Sequence, residues 1–200
     1  MQNQTMNILI VGVGGQGTLL TSRIIADVAV QMGYDVKVSE IHGMAQRGGS
    51  VVSQVRYGDK VYSPIIKKGD ADIILAFEKI EAARWLDYLK DDGMVIINNE
   101  RVDPLPVMTG KAKYPEDITA RIEKLVDRTI VVNATDIAQK CGNIRVANVV
   151  LVGILSTALG LSAEEVEKSI TRTVPAKALK VNLEAFRKGC ELLSLEQRVG

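Results

Sequence analysis

Ile8-Leu9-Ile10-Val11-Gly12-Val13-Gly14-Gly15-Gln16-Gly17-Thr18 is the stretch on which the fold turns. Residues 7–13 are apolar and largely β-branched, and Gly14-Gly15 stop them, which predicts a buried strand. Leu19, Leu20, Ile24, Ile25, Val28 and Met32 then recur at near-helical spacing, with Gly33 as a stop, so 18–32 reads as a helix. Residues 35–41 form a second apolar-rich run. Strand, crossover helix and strand at these lengths predict parallel strands joined by a right-handed connection.

The remainder extends that rhythm with one interruption. Residues 50–56 alternate apolar and polar, and Gly58-Asp59 looks like a hairpin turn before 60–63. That pair predicts antiparallel strands at the sheet edge, closed by Pro64. Strands are expected at 71–77, 94–98 and 129–133, with a turn at Asp91-Asp92-Gly93. Helices are expected at 78–90, 116–126, 135–141, 146–159, 162–171 and 177–193. Residues 99–115, with Pro104, Pro106 and Pro115, read as an irregular excursion or a short edge strand. The class is therefore α/β: a Rossmann-like, mostly parallel sheet covered by helices, with an antiparallel hairpin and a helical C-terminal region. No repeat, linker or low-complexity segment divides residues 1–200, so one domain is expected.

Composition narrows the function classes. Lys and Arg number 25 against 24 Asp and Glu, so no basic surface for nucleic acid or anionic membrane is indicated. The longest apolar run, 146–161, carries Asn148, Gly153, Ser156, Thr157 and Gly160 and is shorter than the ~20 residues of a membrane span. It reads as a core helix. The N-terminus lacks a signal-peptide pattern. Cys141 and Cys190 are far apart with no second cysteine near either, which excludes a self-contained cluster or zinc site built on cysteine pairs. Lone thiols fit a reducing cytoplasm. No metal site is expected.

Gly12, Gly14 and Gly17 match G-x-G-x-x-G after a strand and before a helix. Glycines allow a tight turn and close ligand approach, and the helix N-terminus favours an anion. Gly14, Gly15, Gln16, Gly17 and Thr18 are candidate cofactor- or anion-binding residues, Gln16 and Thr18 through side-chain donors. Glu40 ends the second strand, where a dinucleotide fold places its ribose-binding acid. A stand-alone NAD-dependent dehydrogenase is one reading. A purely structural loop for tight strand–helix packing is another.

A second glycine-rich loop runs His42-Gly43-Met44-Ala45-Gln46-Arg47-Gly48-Gly49-Ser50. His42, the only histidine, can donate, accept or carry a proton near neutrality. Arg47 offers a planar fork for carboxylate or phosphate. Gln46 adds an amide. His42 and Arg47 are candidate supporting catalytic residues, and Gln46 joins the cofactor-binding group.

The two motifs together, with Ala76-Phe77-Glu78, Glu81-Ala82, Arg84 and 91–98, resemble the gamma-type domain of 2-oxoacid:ferredoxin oxidoreductases. The His42–Arg47 segment is most similar to the indolepyruvate branch of that family. The resemblance covers most of the chain and implies oxidative decarboxylation of an arylpyruvate to an acyl-CoA, with electrons passed to ferredoxin. It further implies that thiamine diphosphate, Mg and iron–sulfur clusters sit on a larger alpha subunit, that coenzyme A is a possible shared substrate, and that this chain is inactive alone. Gly69-Asp70-Ala71 and Asn98-Asn99 imitate a thiamine-diphosphate motif, but the glycine–aspartate pair precedes its strand instead of following it. Both pieces are read as turns. A non-catalytic scaffold remains a third reading.

Overall fold

The computed structural model describes residues 5–43 and 48–199. In chain order they form β1 Met6–Val13, α1 Thr18–Gln31, β2 Asp35–His42, β3 Ser50–Gly58, β4 Ala71–Ala76, α2 Lys79–Trp85 and β5 Leu89–Asn98. There follow α3 Leu105–Met108, α4 Ile118–Glu123, β6 Thr129–Val132, α5 Ala134–Lys140, α6 Ala147–Ala158, α7 Ala163–Thr173 and α8 Ala176–Val199. The strands make one sheet in the order β2-β3-β1-β4-β5-β6. Pairing is parallel from β1 through β4 and β5 to β6, and antiparallel only where β3 meets β1 and β2.

The expected Rossmann-like α/β class stands, with corrections to strand order and to elements at 60–63, 86–93 and 99–115, where a short helix Leu105–Met108 stands and no edge strand forms. β1 and β2 do run the same way, but β3 lies between them. The antiparallel hairpin is β2–β3, and residues 60–63 form no strand. Side chains explain the second point by taking over the backbone groups of that segment. Asp35 accepts the Val61 amide at 3.0 Å, Gln54 accepts the Ile66 amide at 2.6 Å, and Arg56 donates to the Ser63 and Ile65 carbonyls. A third difference is at 86–93. The helix ends at Trp85, a 3-10 turn covers Leu86–Tyr88, and β5 starts at Leu89 with a register shift before Met94. The expected turn at Asp91-Asp92-Gly93 is thus a bulge inside the strand, where Lys90 binds Asp72 at 2.6 Å and Asp92 at 3.3 Å.

Both faces of the sheet are covered. Ile8, Ile10, Ile73, Leu75 and Ile96 pack with α1, α5, α6, α7 and α8 on one face. Leu9, Val11, Ile74, Val95 and Ile97 pack with α2 and α4 on the other. Alternate residues of one strand therefore enter opposite cores, which is why these strands read as unbroken apolar runs. α6 is buried on nearly all sides, as expected for the apolar run it comes from. No helix among the described residues is long and apolar enough to cross a membrane.

Tyr57, on β3, is 8% exposed and stacks near Tyr34 with ring centroids 5.5 Å apart. Burial first, and the neighbouring Tyr34 second, push its hydroxyl from 10.0 up to about 12. The folded state thus holds the neutral phenol more tightly than the unfolded chain does. That contribution is complete below about pH 10 and is lost as pH rises towards 12. Two units correspond to roughly 2.7 kcal/mol. Denaturant melts between pH 9 and 12 should show a shallower alkaline loss of stability for Tyr57→Phe than for the parent; parallel profiles would refute the assignment.

Candidate functional site

α1 lies on one face of the sheet and α2 on the other, so the connections leaving β1 and β4 diverge. A crevice opens beyond the carboxyl ends of two such strands. The first glycine loop lies there. Gln16 N donates to the Val13 carbonyl at 3.1 Å, closing a tight turn with Gly15 at φ 106°. Gly17, at φ 92°, caps α1 without a side-chain bond, and no acidic residue occupies the first helical turn. A Cβ on Gly17 would lie 2.7 Å from Nδ2 of Asn148 on α6. Glycine is required here on both counts.

The two glycine loops are joined. The Gly14 amide donates to the Gly49 carbonyl at 2.9 Å, and the Gly48 amide donates to the Gly14 carbonyl at 3.4 Å. These bonds continue the β1–β3 ladder beyond its Val13–Ser50 pair. Ser50 in turn donates to the Glu81 carboxylate, whose other oxygen accepts from Arg84 at 3.1 Å. Glu81 is 4% exposed, so α2 anchors the second loop through a buried carboxylate. Neighbouring Glu78, 1% exposed, accepts from the Glu81 and Val102 amides and from the Tyr114 hydroxyl. Burial and that carboxylate together raise the Tyr114 hydroxyl well above its ordinary value.

Two hollows flank the first loop. One is lined by Gly14, Gly15, Gly17, Thr18, Glu40 and His42. The structure thus gathers most of the expected site residues there, with Glu40 beside them. His42 ends β2 as an exposed side chain, with Nδ1 3.3 Å from the Gly43 carbonyl. Thr18 is buried. Gln46 and Arg47 lie outside the described residues. Gln16 faces the other way: Oε1 accepts the Val13 amide at 2.7 Å and Nε2 donates to the Phe77 carbonyl at 3.3 Å. Its amide braces the turn instead of facing outward as a free donor.

The second hollow is the crevice itself, lined by Gly15, Gln16, Asn98, Glu100, Thr135 and Arg145 among others. Four of those residues were not anticipated from the sequence. Asn98, 3% exposed, ties three elements together: Oδ1 accepts the Ala134 amide at 2.9 Å, and Nδ2 donates to Thr135 Oγ1 at 3.1 Å and to the Phe77 carbonyl at 3.4 Å. Thr135 donates to the Glu100 carboxylate. The Asn98-Asn99 dipeptide signals a strand end, but nothing local shows that Asn98 is buried.

The geometry also disposes of the thiamine-like dipeptides. Gly69-Asp70 precedes β4, whereas Asn98-Asn99 ends β5, and the two strands are parallel. They lie at opposite ends of two neighbouring strands, about 20 Å apart for a six-residue strand. One diphosphate does not reach both. Cys141 follows α5 and Cys190 lies on α8, both as free thiols. Burial raises each thiol above its ordinary value, which opposes thiolate ligation. These two dipeptides do not make one thiamine diphosphate site, and two separated thiols do not make a four-thiolate iron–sulfur site.

The family model of pyruvate ferredoxin/flavodoxin oxidoreductase matches residues 7–192. The chain belongs to that family. Within it, "Indolepyruvate oxidoreductase subunit IorB" of Archaeoglobus fulgidus is 44% identical over 188 residues, spanning 92% of this chain and 93% of the relative. The Pyrococcus horikoshii protein of the same name is 43% identical over the same shares. A crystal structure of the keto/oxoacid ferredoxin oxidoreductase gamma subunit from Geobacter sulfurreducens has a TM-score of 0.71 at 25% identity, covering 95% of this chain and 99% of that one. The 2-oxoglutarate:ferredoxin oxidoreductase of Magnetococcus marinus shares the fold, with a TM-score of 0.74 at 20% identity; this chain matches 32% of its length. This member of the pyruvate ferredoxin/flavodoxin oxidoreductase family is thus a subunit of the 2-oxoacid:ferredoxin oxidoreductase type, and the resemblance drawn from the glycine loops holds.

Proposed function

We propose that this chain is the smaller subunit of a cytoplasmic enzyme that oxidatively decarboxylates arylpyruvates, indolepyruvate among them. The products are an aryl-acyl-CoA, carbon dioxide and reduced ferredoxin. Near-full-length identity of 44% to an indolepyruvate oxidoreductase subunit carries this reading. Thiamine diphosphate, Mg and the iron–sulfur clusters belong to a larger alpha subunit, and ferredoxin docks on the complex. The chain forms one gamma-type domain across its length. Its task is to shape the reaction chamber from outside the chemistry.

The residues suited to that task are on the zipped glycine loops. His42 stands exposed at the end of β2, and its imidazole is assigned to the boundary with the larger subunit. Arg47 and Gln46 follow it in the same loop and are assigned to the substrate or coenzyme A side of the boundary. Gly14, Gly15, Gly17 and Thr18 supply the backbone floor.

The test is reconstitution. Co-expression with the larger subunit should give a complex with iron–sulfur absorbance that reduces ferredoxin with indolepyruvate and coenzyme A, and omission of this chain should abolish turnover. His42→Ala and Arg47→Ala should each lower turnover about 100-fold without changing the melting temperature of the purified chain. Full activity of the larger subunit alone would end the proposal, and unchanged turnover in both variants would remove the assigned roles.

A further inference from the structure

The second glycine loop is tied down by backbone bonds and by one side-chain bond, and the side-chain bond is the unexpected one. On the β2 side His42 pairs with Val51 of β3. On the β3 side the Gly48 amide donates to the Gly14 carbonyl, and the Gly49 carbonyl accepts the Gly14 amide, with Gly48 at φ 77°. Those ties follow from the hairpin and from the β1–β3 ladder. The remaining tie is the Ser50 hydroxyl, which donates to the carboxylate of Glu81 on α2. Glu81 is 4% exposed, and its other oxygen accepts from Arg84, whose side chain is half in solvent.

A carboxylate at this depth is a poor stabiliser. Desolvation offsets most of the attraction in a buried ion pair, and apolar replacements of such pairs are often neutral or stabilising. What the pair does supply is direction. An ionised carboxylate only accepts, so Ser50 must aim its hydroxyl at α2. The turn that carries Glu81 is itself held. Glu78, 1% exposed, accepts the Glu81 amide at 3.1 Å, the Val102 amide and the Tyr114 hydroxyl. The bond therefore runs from a fixed helix end to the close of a glycine-rich segment with little stiffness of its own.

Successive residues of a strand face opposite sides of the sheet. Ser50 faces α2, so Val51 faces α1, where it lines the hollow with Glu40, His42 and Thr18. Neither Ser50 nor Glu81 lines that hollow. Their effect on it passes through the sheet, by way of Val51, the cross-strand partner of His42, and of Gly48-Gly49, which follow Gln46 and Arg47 in sequence. We propose that Ser50 and Glu81 are positioning residues for the second glycine loop, setting the place of His42 and of the chain that carries Gln46 and Arg47 from the opposite face of the sheet. This rests on the function assigned to that loop above.

Two measurements test it. The first is residue-resolved hydrogen exchange on the purified full chain. In Ser50→Ala the Gly14 and Gly48 amides should exchange about tenfold faster, while Ile74 and Leu75 in the centre of the sheet keep the parent rates. Glu81→Gln, whose amide oxygen still accepts, should show the same pattern more weakly, and Ser50→Thr, which keeps the hydroxyl, should match the parent. The second is turnover of the complex reconstituted with the larger subunit. Ser50→Ala should lower it about tenfold, within the range that a small misplacement costs, Ser50→Thr should restore it, and Ser50→Ala with Glu81→Gln should be no slower than the slower single variant. Parent-like exchange at Gly14 and Gly48 in Ser50→Ala overturns the proposal. So does equal acceleration at Ile74 and Leu75, which would mark a purely structural bond, or parent-like turnover of Ser50→Ala in an active complex. A complex inactive even with the parent chain refutes the assigned function instead, and the exchange pattern then decides the positioning by itself.

Discussion

Gly189→Ala should melt far below the parent protein. The glycine lies on α8 where that helix crosses α6, and an added Cβ would be 2.1 Å from the Val150 carbonyl oxygen and 3.1 Å from the Gly153 Cα. Gly153 mirrors it, its Cβ position being 2.3 Å from the Phe186 carbonyl oxygen. The obstructing atoms in both cases are helix backbone, which cannot swing aside as a side-chain end can. α6 is itself buried between the sheet and α8, so it cannot retreat. Moving the helices apart opens voids along the whole contact. We expect a cost of about 3 kcal/mol, or a fall of roughly 10 °C in melting temperature for a chain of this size. Circular dichroism melts of Gly189→Ala and Gly153→Ala check this. A shift in neither variant would mean that the helices do not cross this closely.

Asn98→Ala should produce the second large loss. The side chain ends β5 and holds the Ala134 amide at the start of α5, the Thr135 hydroxyl and the Phe77 carbonyl after β4. Alanine removes all three partners at once from a site that is 3% exposed. The Ala134 amide, itself buried, is left without an acceptor. Stranded buried groups of this kind cost about 3 kcal/mol together. The readout is the urea midpoint, which should drop at unchanged slope. Asn98→Ser, which retains one short hydroxyl, should recover part of the loss by accepting from Ala134. Identical midpoints for the parent and both variants would show that the three bonds contribute nothing net.

Much of the architecture was legible because it depends on local periodicity. The buried strands at β1, β4, β5 and β6 follow from apolar runs, and α1, α6 and α7 from helical spacing and glycine stops. What failed was pairing. Val51, Val52 and Val55 announce a strand, yet nothing in 50–58 states that it inserts between β2 and β1. Asp35, Gln54 and Arg56 decide it by capturing the backbone of 61–66, and they reach it from 7 to 26 residues away in sequence.

The candidate site divides in the same way. Gly14, Gly15, Gly17, Thr18 and His42 were visible as motif residues, and they line one hollow. Gln16 was visible too, but its commitment to the Val13 amide and the Phe77 carbonyl was not. Glu100, Thr135 and Arg145 carry no motif and meet only at the crevice.

By itself the sequence determined most of the element types, outside 60–63 and 86–93, the glycine loop that starts α1 and the family. Each is encoded within a few neighbouring residues, by periodicity and by the φ values that only glycine adopts freely. Tertiary structure alone decided strand order, the bonding of the two glycine loops through Gly14, Gly48 and Gly49, and the placing of Glu100 and Arg145 on one crevice. Those depend on which distant groups best satisfy one another once buried, a competition that no local window of the chain contains.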